Sequence, residues 1–388
     1  MSRRILFVSN GYGEAAIVEA LAREVRIATP TLDIDHLALV GTGHATTLRA
    51  VGPQRDLPSG GIIAMGNVPN ILRDLGAGLL SLTLAQRRFL VSARGVYAAT
   101  IAVGDVYALL MALAAHARTI YVGTAKSILV APYGRLEERV LRRARAIFVR
   151  DEPTAQALRS HGVDARAPGN AIVDLYPVRA DADAARAVAG FAPALALFPG
   201  SRSSAYADAA FLIATLARVG RARPTLGAAL SIAPTLQAEK FATQLRSDGW
   251  QIRMHDDALV PFSIWDGTRE LARAWCGASG ALLAHVALVA GQAGTANEAA
   301  AAAGVPVVAF ELGNDRKTAW YRMRQRGLLG DALAILPGDA VAAADALAAL
   351  LDDAPQRAHM AAVGRERMGS AGGARAIAQC IVAVSDAE

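Results

Sequence analysis

Three short segments combine glycine with residues able to hold or move charge: SNGYGEAA (Ser9–Ala16), FPGSRSSAY (Phe198–Tyr206) and VALVAGQAGTANEAAAAAGVPVVAF (Val286–Phe310). Each follows an apolar run and opens a helical pattern, so each reads as a strand-to-helix turn. A helix start carries unpaired N–H groups and partial positive charge, which suits a phosphate. In the second segment Gly200 and Ser201 precede Arg202, whose planar guanidinium can hold phosphate oxygens in pairs. The plainer reading of those residues is a serine-capped helix beside a solvent arginine. In the third, Gly291, Gln292, Gly294 and Thr295 lead into a helix, and Thr295 with Glu298 spells T-x-x-E. Two readings stay open there. One is a capping box, worth about 1 kcal/mol. The other keeps the amides of Gly294–Ala296 for a phosphate and gives Glu298 the paired hydroxyls of a sugar.

The first segment fits the dinucleotide spacing G-x-G-x-x-A through Gly11, Gly13 and Ala16. A nicotinamide site wants an acid at the far end of the next strand. Asp33 and Asp35 stand at its start, so the segment is read as a tight turn, not an NAD site. Asn10, Gly11, Tyr12 and Gly13 would line a site there, with Glu14 facing it. Asp105, in VGDVY, ends an apolar strand, where an ionised side chain is costly unless it meets a site or a partner. The D-x-D strings Asp33–Asp35 and Asp181–Asp183 fall at a strand start and in the break between the halves, so no D-x-D or HExxH metal motif is evident; the seven histidines are scattered, and Cys276 and Cys380 form no CxxC pair. The expected chemistry therefore uses no metal and no cofactor.

These residues need a scaffold, and the chain spells one twice. RILFVSN, DIDHLALVG, YAATIAVGD, TIYVG and AIFVRD are apolar strands separated by helical patterns. Around Tyr176–Pro193 the pattern breaks, then restarts with ALALFPGSR, LGAALSIAP, HVALVA and VPVVAF, and ends in a helical stretch, Ala340–Val384. Alternating strands and helices imply parallel sheets covered on both faces. The chain has 388 residues; at roughly 100–200 residues per domain, two domains are expected. The boundaries expected are 1–176, 177–365, and a C-terminal helix at 366–388 crossing back to the first domain. The fold class is α/β, two doubly wound Rossmann-like domains facing a central cleft.

The composition is 53% hydrophobic with a net charge of +6; only Lys126, Lys240 and Lys317 among the forty basic residues are lysine. That charge permits anionic ligands without choosing one. Aromatics are 5% and are not interleaved with basic residues, so nucleic acid is not an expected partner. The start, MSRRILFVSN, reads as a first strand rather than a signal peptide. No charge-free apolar run approaches the ~20 residues of a spanning helix. The least polar stretch, Gly76–Ala85, followed by Arg87, Arg88 and Arg94, could lie on an anionic bilayer, or be an ordinary buried helix with a basic end. A cytoplasmic protein is expected, peripheral on the cytoplasmic face of the inner membrane if lipid is its partner.

LFPGSR, followed about ninety residues later by GQAGTANEAAAAAGVPVV, resembles the donor half of lipid-A-disaccharide synthase. It is more distantly similar to the N-acetylglucosaminyl transferase of peptidoglycan synthesis. SNGYGE, GDVYALL and GNAIVDL look closer still to the group of lipid-A-disaccharide-synthase-related proteins. The resemblance implies a GT-B glycosyltransferase, a metal-independent and inverting hexosyltransferase. It would move a sugar of the N-acetylhexosamine type from a UDP-sugar to a lipid or glycolipid acceptor. By the family pattern Gly200, Ser201, Arg202, Gly291, Gln292, Gly294 and Thr295 hold the diphosphate and Glu298 the ribose. Asn314, Arg324 and Gln325 also line the donor site, while Arg322 and Arg326 are read as a solvated helix face. Asn10–Gly13 take the acceptor, and Asp105 or Glu14 is the general base. Two rivals use the same fold: a nucleotide-sugar 2-epimerase or hydrolase, which needs no acceptor, and a non-catalytic nucleotide-sugar-binding protein.

Overall fold

The computed structural model describes residues 3–41, 47–55, 78–115, 118–312 and 316–386. The chain forms two compact units, Met1–Leu175 with Ser370–Glu388, and Tyr176–Gly369.

The first unit holds the parallel strands β1 (Arg4–Ser9), β2 (Asp33–Ala38), β3 (Arg49–Ala50), β4 (Ala99–Gly104), β5 (Thr119–Gly123), β6 (Ala146–Phe148) and β7 (Ala165–Arg166). Their order is β3-β2-β1-β4-β5-β6-β7. RILFVS and ATIAVG are almost unbroken apolar runs because both faces of these central strands are covered. Side chains alternate between the faces. Ile5, Phe7 and Ile101 pack with Ile17 and Leu21 of the helix Tyr12–Ala28 and with Ile377 and Ile381 of the C-terminal helix Gly373–Asp386. Leu6, Val8 and Ala102 pack on the other face with Leu90, Leu109 and Leu141. Asp174 fastens the start of the C-terminal helix, accepting from the amides of Gly372 and Ala374 at 2.7 Å each.

The second unit carries β8 (Ala194–Phe198), β9 (Gly227–Ser231), β10 (Gln251–Met254), β11 (Phe262–Asp266), β12 (Arg269–Trp275), β13 (Leu288–Gly291), β14 (Val307–Phe310) and β15 (Leu333–Leu336). The order is β10-β11-β12-β9-β8-β13-β14-β15. From β12 to β15 the pairs are parallel; β10, β11 and β12 form an antiparallel meander. The sequence reading names no strand between Gln251 and Trp275, where Asp266-Gly267 marks the hairpin.

The inner strand orders, β3-β2-β1-β4-β5-β6 and β12-β9-β8-β13-β14-β15, are the same doubly wound pattern. In such sheets the crevice lies where connections leave in opposite directions, here between β1 and β4 and between β8 and β13. The Gly76–Ala85 stretch begins outside the described residues and continues into the helix Leu79–Ser92. That helix buries Leu79, Leu82 and Leu90 and exposes Leu80 and Leu84. Among the described residues no helix is long and apolar enough to cross a membrane.

Candidate functional site

In the first unit β1 and β4 are hydrogen-bonded neighbours, so the turns leaving their carboxyl ends meet. Glu14 lies in the first turn of the helix after β1. Asp105 follows β4 and caps the helix Val106–Ala112, its Oδ1 accepting from the amides of Tyr107 (2.9 Å) and Ala108 (3.2 Å). The Asn10 side chain also reaches Asp105. Gly104 permits this convergence. Its φ of +135° lies where side-chain-bearing residues are strained, and a Cβ there would collide with Asn10 Oδ1 and stand 3.3 Å from Glu14 Cγ.

Burial pushes the Glu14 carboxyl up; the nearby Asp105 charge adds to that, while backbone hydrogen bonding and the Thr124 hydroxyl oppose it. Burial also pushes Asp105 up, against the amides of Ala108 and Tyr107 and the Asn10 side chain. The hydroxyl of Thr124, just beyond β5, and Asn10 Oδ1 have no well-formed hydrogen bond among the described residues. Two adjoining carboxyls with raised proton affinity and unspent polar neighbours can take up and give back a proton. Behind them Tyr121 donates to the Gly104 carbonyl (3.1 Å) and meets the Tyr133 hydroxyl (3.2 Å), while Lys126 pairs with Glu137 at 2.6 Å. None of these five supporting residues, Thr124 included, carries a local sequence signal. Asp35 has a different part. It is 1% exposed, gripped by Arg49 at 2.8 and 2.6 Å and by the Tyr97 hydroxyl at 3.0 Å.

In the second unit Gly291 of β13 lies opposite Phe198 of β8. The amides of Gln292 and Ala293 both donate to the Phe198 carbonyl, at 2.9 and 3.2 Å, tying one turn to the root of the other. A Cβ on Gly291 would stand 2.7 Å from the Phe198 carbonyl oxygen and 2.9 Å from Asn297 Oδ1, so the approach needs glycine. Gly200–Arg202 and Gly291–Glu298 therefore emerge from the same end of adjacent strands. The T-x-x-E capping box does not form. Gly294 occupies the cap position with no side-chain cap, and Thr295 is already the first residue of the helix Thr295–Ala302. The Thr295 hydroxyl instead lies 2.9 Å from that of Tyr176. Burial pushes the Tyr176 hydroxyl up; Thr295 opposes this, and the adjacent Glu298 charge adds to it.

Gln292 donates to the Phe310 carbonyl (3.0 Å), leaving its Oε1 buried and unpartnered. Asn297, 0% exposed, donates to the Gly291 carbonyl at 3.2 Å, and its Oδ1 is likewise unpartnered. Gln325 donates to the carbonyls of Ala293 (3.0 Å) and Gly294 (3.2 Å), so it braces the turn. The Arg324 guanidinium lies 5.3 Å from the Trp320 ring centre. Arg202 is exposed, as are Ser201 and Gly294. Arg326 is tied to Asp331 and to the Leu333 carbonyl. Arg322, expected on a solvated face, is instead half-buried, because it sits behind the turn that Gln325 braces. Gly11 occupies the cap position of the first unit's turn; Tyr12 begins its helix and Gly13 is the second helical residue. Asn314 lies outside the described residues. Among the described residues no cluster of three or more potential metal-ligating His, Cys, Asp or Glu side chains occurs.

No protein-family model and no curated protein sequence matches the chain. Solved structures do. The MnaA protein of S. aureus, solved with UDP, aligns at a TM-score of 0.61 with 11% identity, over 98% of this chain and 96% of that one. UDP-GlcNAc 2-epimerase of Neisseria meningitidis, bound to UDP-GlcNAc, aligns at 0.56 with 11% identity, over 98% and 100%. The glycosyltransferase SnogD of Streptomyces nogalater aligns at 0.51 with 16% identity, over 99% and 100%. The fold is thus GT-B, as expected from the sequence. The assignment to lipid-A-disaccharide synthase and its related proteins is corrected, and with it sugar transfer to a lipid or glycolipid acceptor. In its place stands a fold shared with UDP-GlcNAc 2-epimerases, two of which align at a TM-score of 0.56.

Proposed function

We propose that the protein is an enzyme acting on a UDP-sugar, and that its reaction is 2-epimerisation or hydrolysis of a UDP-N-acetylhexosamine without a second acceptor. The observation that carries the nucleotide half is the pairing of the β8 and β13 turns, tied through the Phe198 carbonyl. Two amide-rich helix starts at one switch point suit a diphosphate. Glu298, beside Tyr176 and Thr295, suits the vicinal hydroxyls of the ribose. The likeness in fold to UDP-GlcNAc 2-epimerases supports the substrate class.

Inversion at C2 of a sugar breaks and remakes a C–H bond, and hydrolysis needs a water activated; both call for a group that moves a proton. In the first unit Glu14 and Asp105 have the raised proton affinity for that work. We assign no metal: helix N-termini and Arg202 stabilise the leaving diphosphate. Incubation with UDP-N-acetylglucosamine alone tests the reading. UDP release or C2 inversion should appear without any acceptor, and Glu14→Gln and Asp105→Asn should lose turnover while keeping UDP affinity. Binding of UDP with no turnover at all would make the chain a non-catalytic binding protein.

A further inference from the structure

The sequence places Arg322 on a solvated helix face; the structure does not. Arg322 lies on the helix Arg316–Leu329, which reaches the turn after β13 through Gln325. One turn of helix beyond Arg322, Gln325 donates to the Ala293 and Gly294 carbonyls, directly ahead of the helix Thr295–Ala302. Arg322 Nη1 lies 3.4 Å from Gln325 Oε1. The charge of Asp208, in the first turn of the helix Ala205–Gly220 that follows the PGSR turn, also acts on Arg322, and the Ser204 side chain holds Asp208. Arg322 is thus linked to the turn after β13 through Gln325 and to the helix after the PGSR turn through the Asp208 charge. Its Nε is buried and has no hydrogen-bond partner among the described residues. Burial lowers its proton affinity, with the Asp208 charge opposing, and burial pushes Asp208 up in turn. A desolvated guanidinium with an idle N–H is costly unless an anion comes to it.

We propose that Arg322 is a diphosphate-binding residue of the second unit, the guanidinium that meets the ligand's phosphate oxygens between the β8 and β13 turns. This rests on the reading of that unit as a nucleoside-diphosphate site and adds to it a residue that the sequence pattern assigns to solvent. Arg202, exposed at the rim of its turn, is then the more weakly held of two charges.

Isothermal titration of the full chain with UDP and with inorganic pyrophosphate, beside thermal unfolding without ligand, tests this. Arg322→Met keeps volume and removes charge. It should weaken both ligands by roughly ten- to a hundredfold. Its unfolding midpoint should fall, because removing one member of a partly buried charge pair leaves Asp208 without its opposing charge, so both titrations are made well below that midpoint. Arg322→Lys should fold and recover part of the affinity. Wild-type affinity in Arg322→Met overturns the proposal. So does a midpoint lowered as far in Arg322→Lys as in Arg322→Met, which would make Arg322 structural. If the wild type binds neither UDP nor pyrophosphate, the nucleotide reading fails first and the proposal falls with it.

Discussion

Replacing Gly291 by alanine should separate the two turns that define the candidate nucleotide site. The new methyl would lie 2.7 Å from the Phe198 carbonyl oxygen, 2.8 Å from Phe198 Cβ and 2.9 Å from Asn297 Oδ1. Two of those atoms belong to, or are fixed by, the backbone of β8, so relief requires β8 and β13 to part. Burying one methyl gains about 0.8 kcal/mol. Overpacking a rigid site costs about 1–3 kcal/mol. The net loss is therefore about 0.2–2 kcal/mol, or a fall of up to roughly 8 °C in the midpoint of a unit this size. The hydrogen bonds from the Gln292 and Ala293 amides to Phe198 should weaken together, because both end on the carbonyl the methyl displaces. UDP affinity should fall with them. Differential scanning calorimetry and UDP titration on the same sample measure both effects. An unchanged midpoint with wild-type UDP affinity would refute the close tethering of the turns as the basis of binding.

Other perturbations follow from the same geometry. Tyr176→Phe removes the partner of the Thr295 hydroxyl at a cost of about 0.5–1.5 kcal/mol, and should reduce the preference for UDP over 2′-deoxy-UDP, read by competition binding. Glu14 and Asp105 have folded proton affinities raised by burial. Their contribution to stability is full below their unfolded values near ~4 and is lost as pH rises through the folded values. Glu14→Gln and Asp105→Asn should therefore gain more stability over wild type at pH 7 than at pH 4 in urea denaturation, while losing turnover. His36, buried with its Nε2 2.8 Å from Ser9 Oγ, is pushed down to about 4 by burial, with Glu19 opposing. His36 by itself should take ~3 kcal/mol from the first unit as pH falls from ~6.5 to about 4, against the opposite drift from Glu14 and Asp105, and His36→Gln should remove that part of the slope.

Both sheets were legible because their central strands are buried on two faces and read as unbroken apolar runs, as in RILFVS, ATIAVG and ALALF. The turns were legible because glycine stands where a strand end must approach a neighbour, as Gly291 does. What the helix after β13 does with T-x-x-E was not. The string is the same whether threonine sits at the cap or one residue inside the helix, and the tether to Phe198 decides which. Arg322 was misread for a similar reason. A helix carrying arginines at 322, 324 and 326 looks solvated until Gln325 shows which side faces the turn. The meander β10-β11-β12 hid behind polar edge strands such as QIRM, whose exposure erases the apolar signal.

The most direct measurement is incubation of the protein with UDP-N-acetylglucosamine in D2O, with no acceptor, followed by mass spectrometry and proton NMR of the sugar and the nucleotide. UDP should be released or the C2 epimer formed, with deuterium at C2 wherever that centre has inverted. An intact UDP-sugar with protium retained at C2, under conditions where UDP itself fails to bind, would contradict the account.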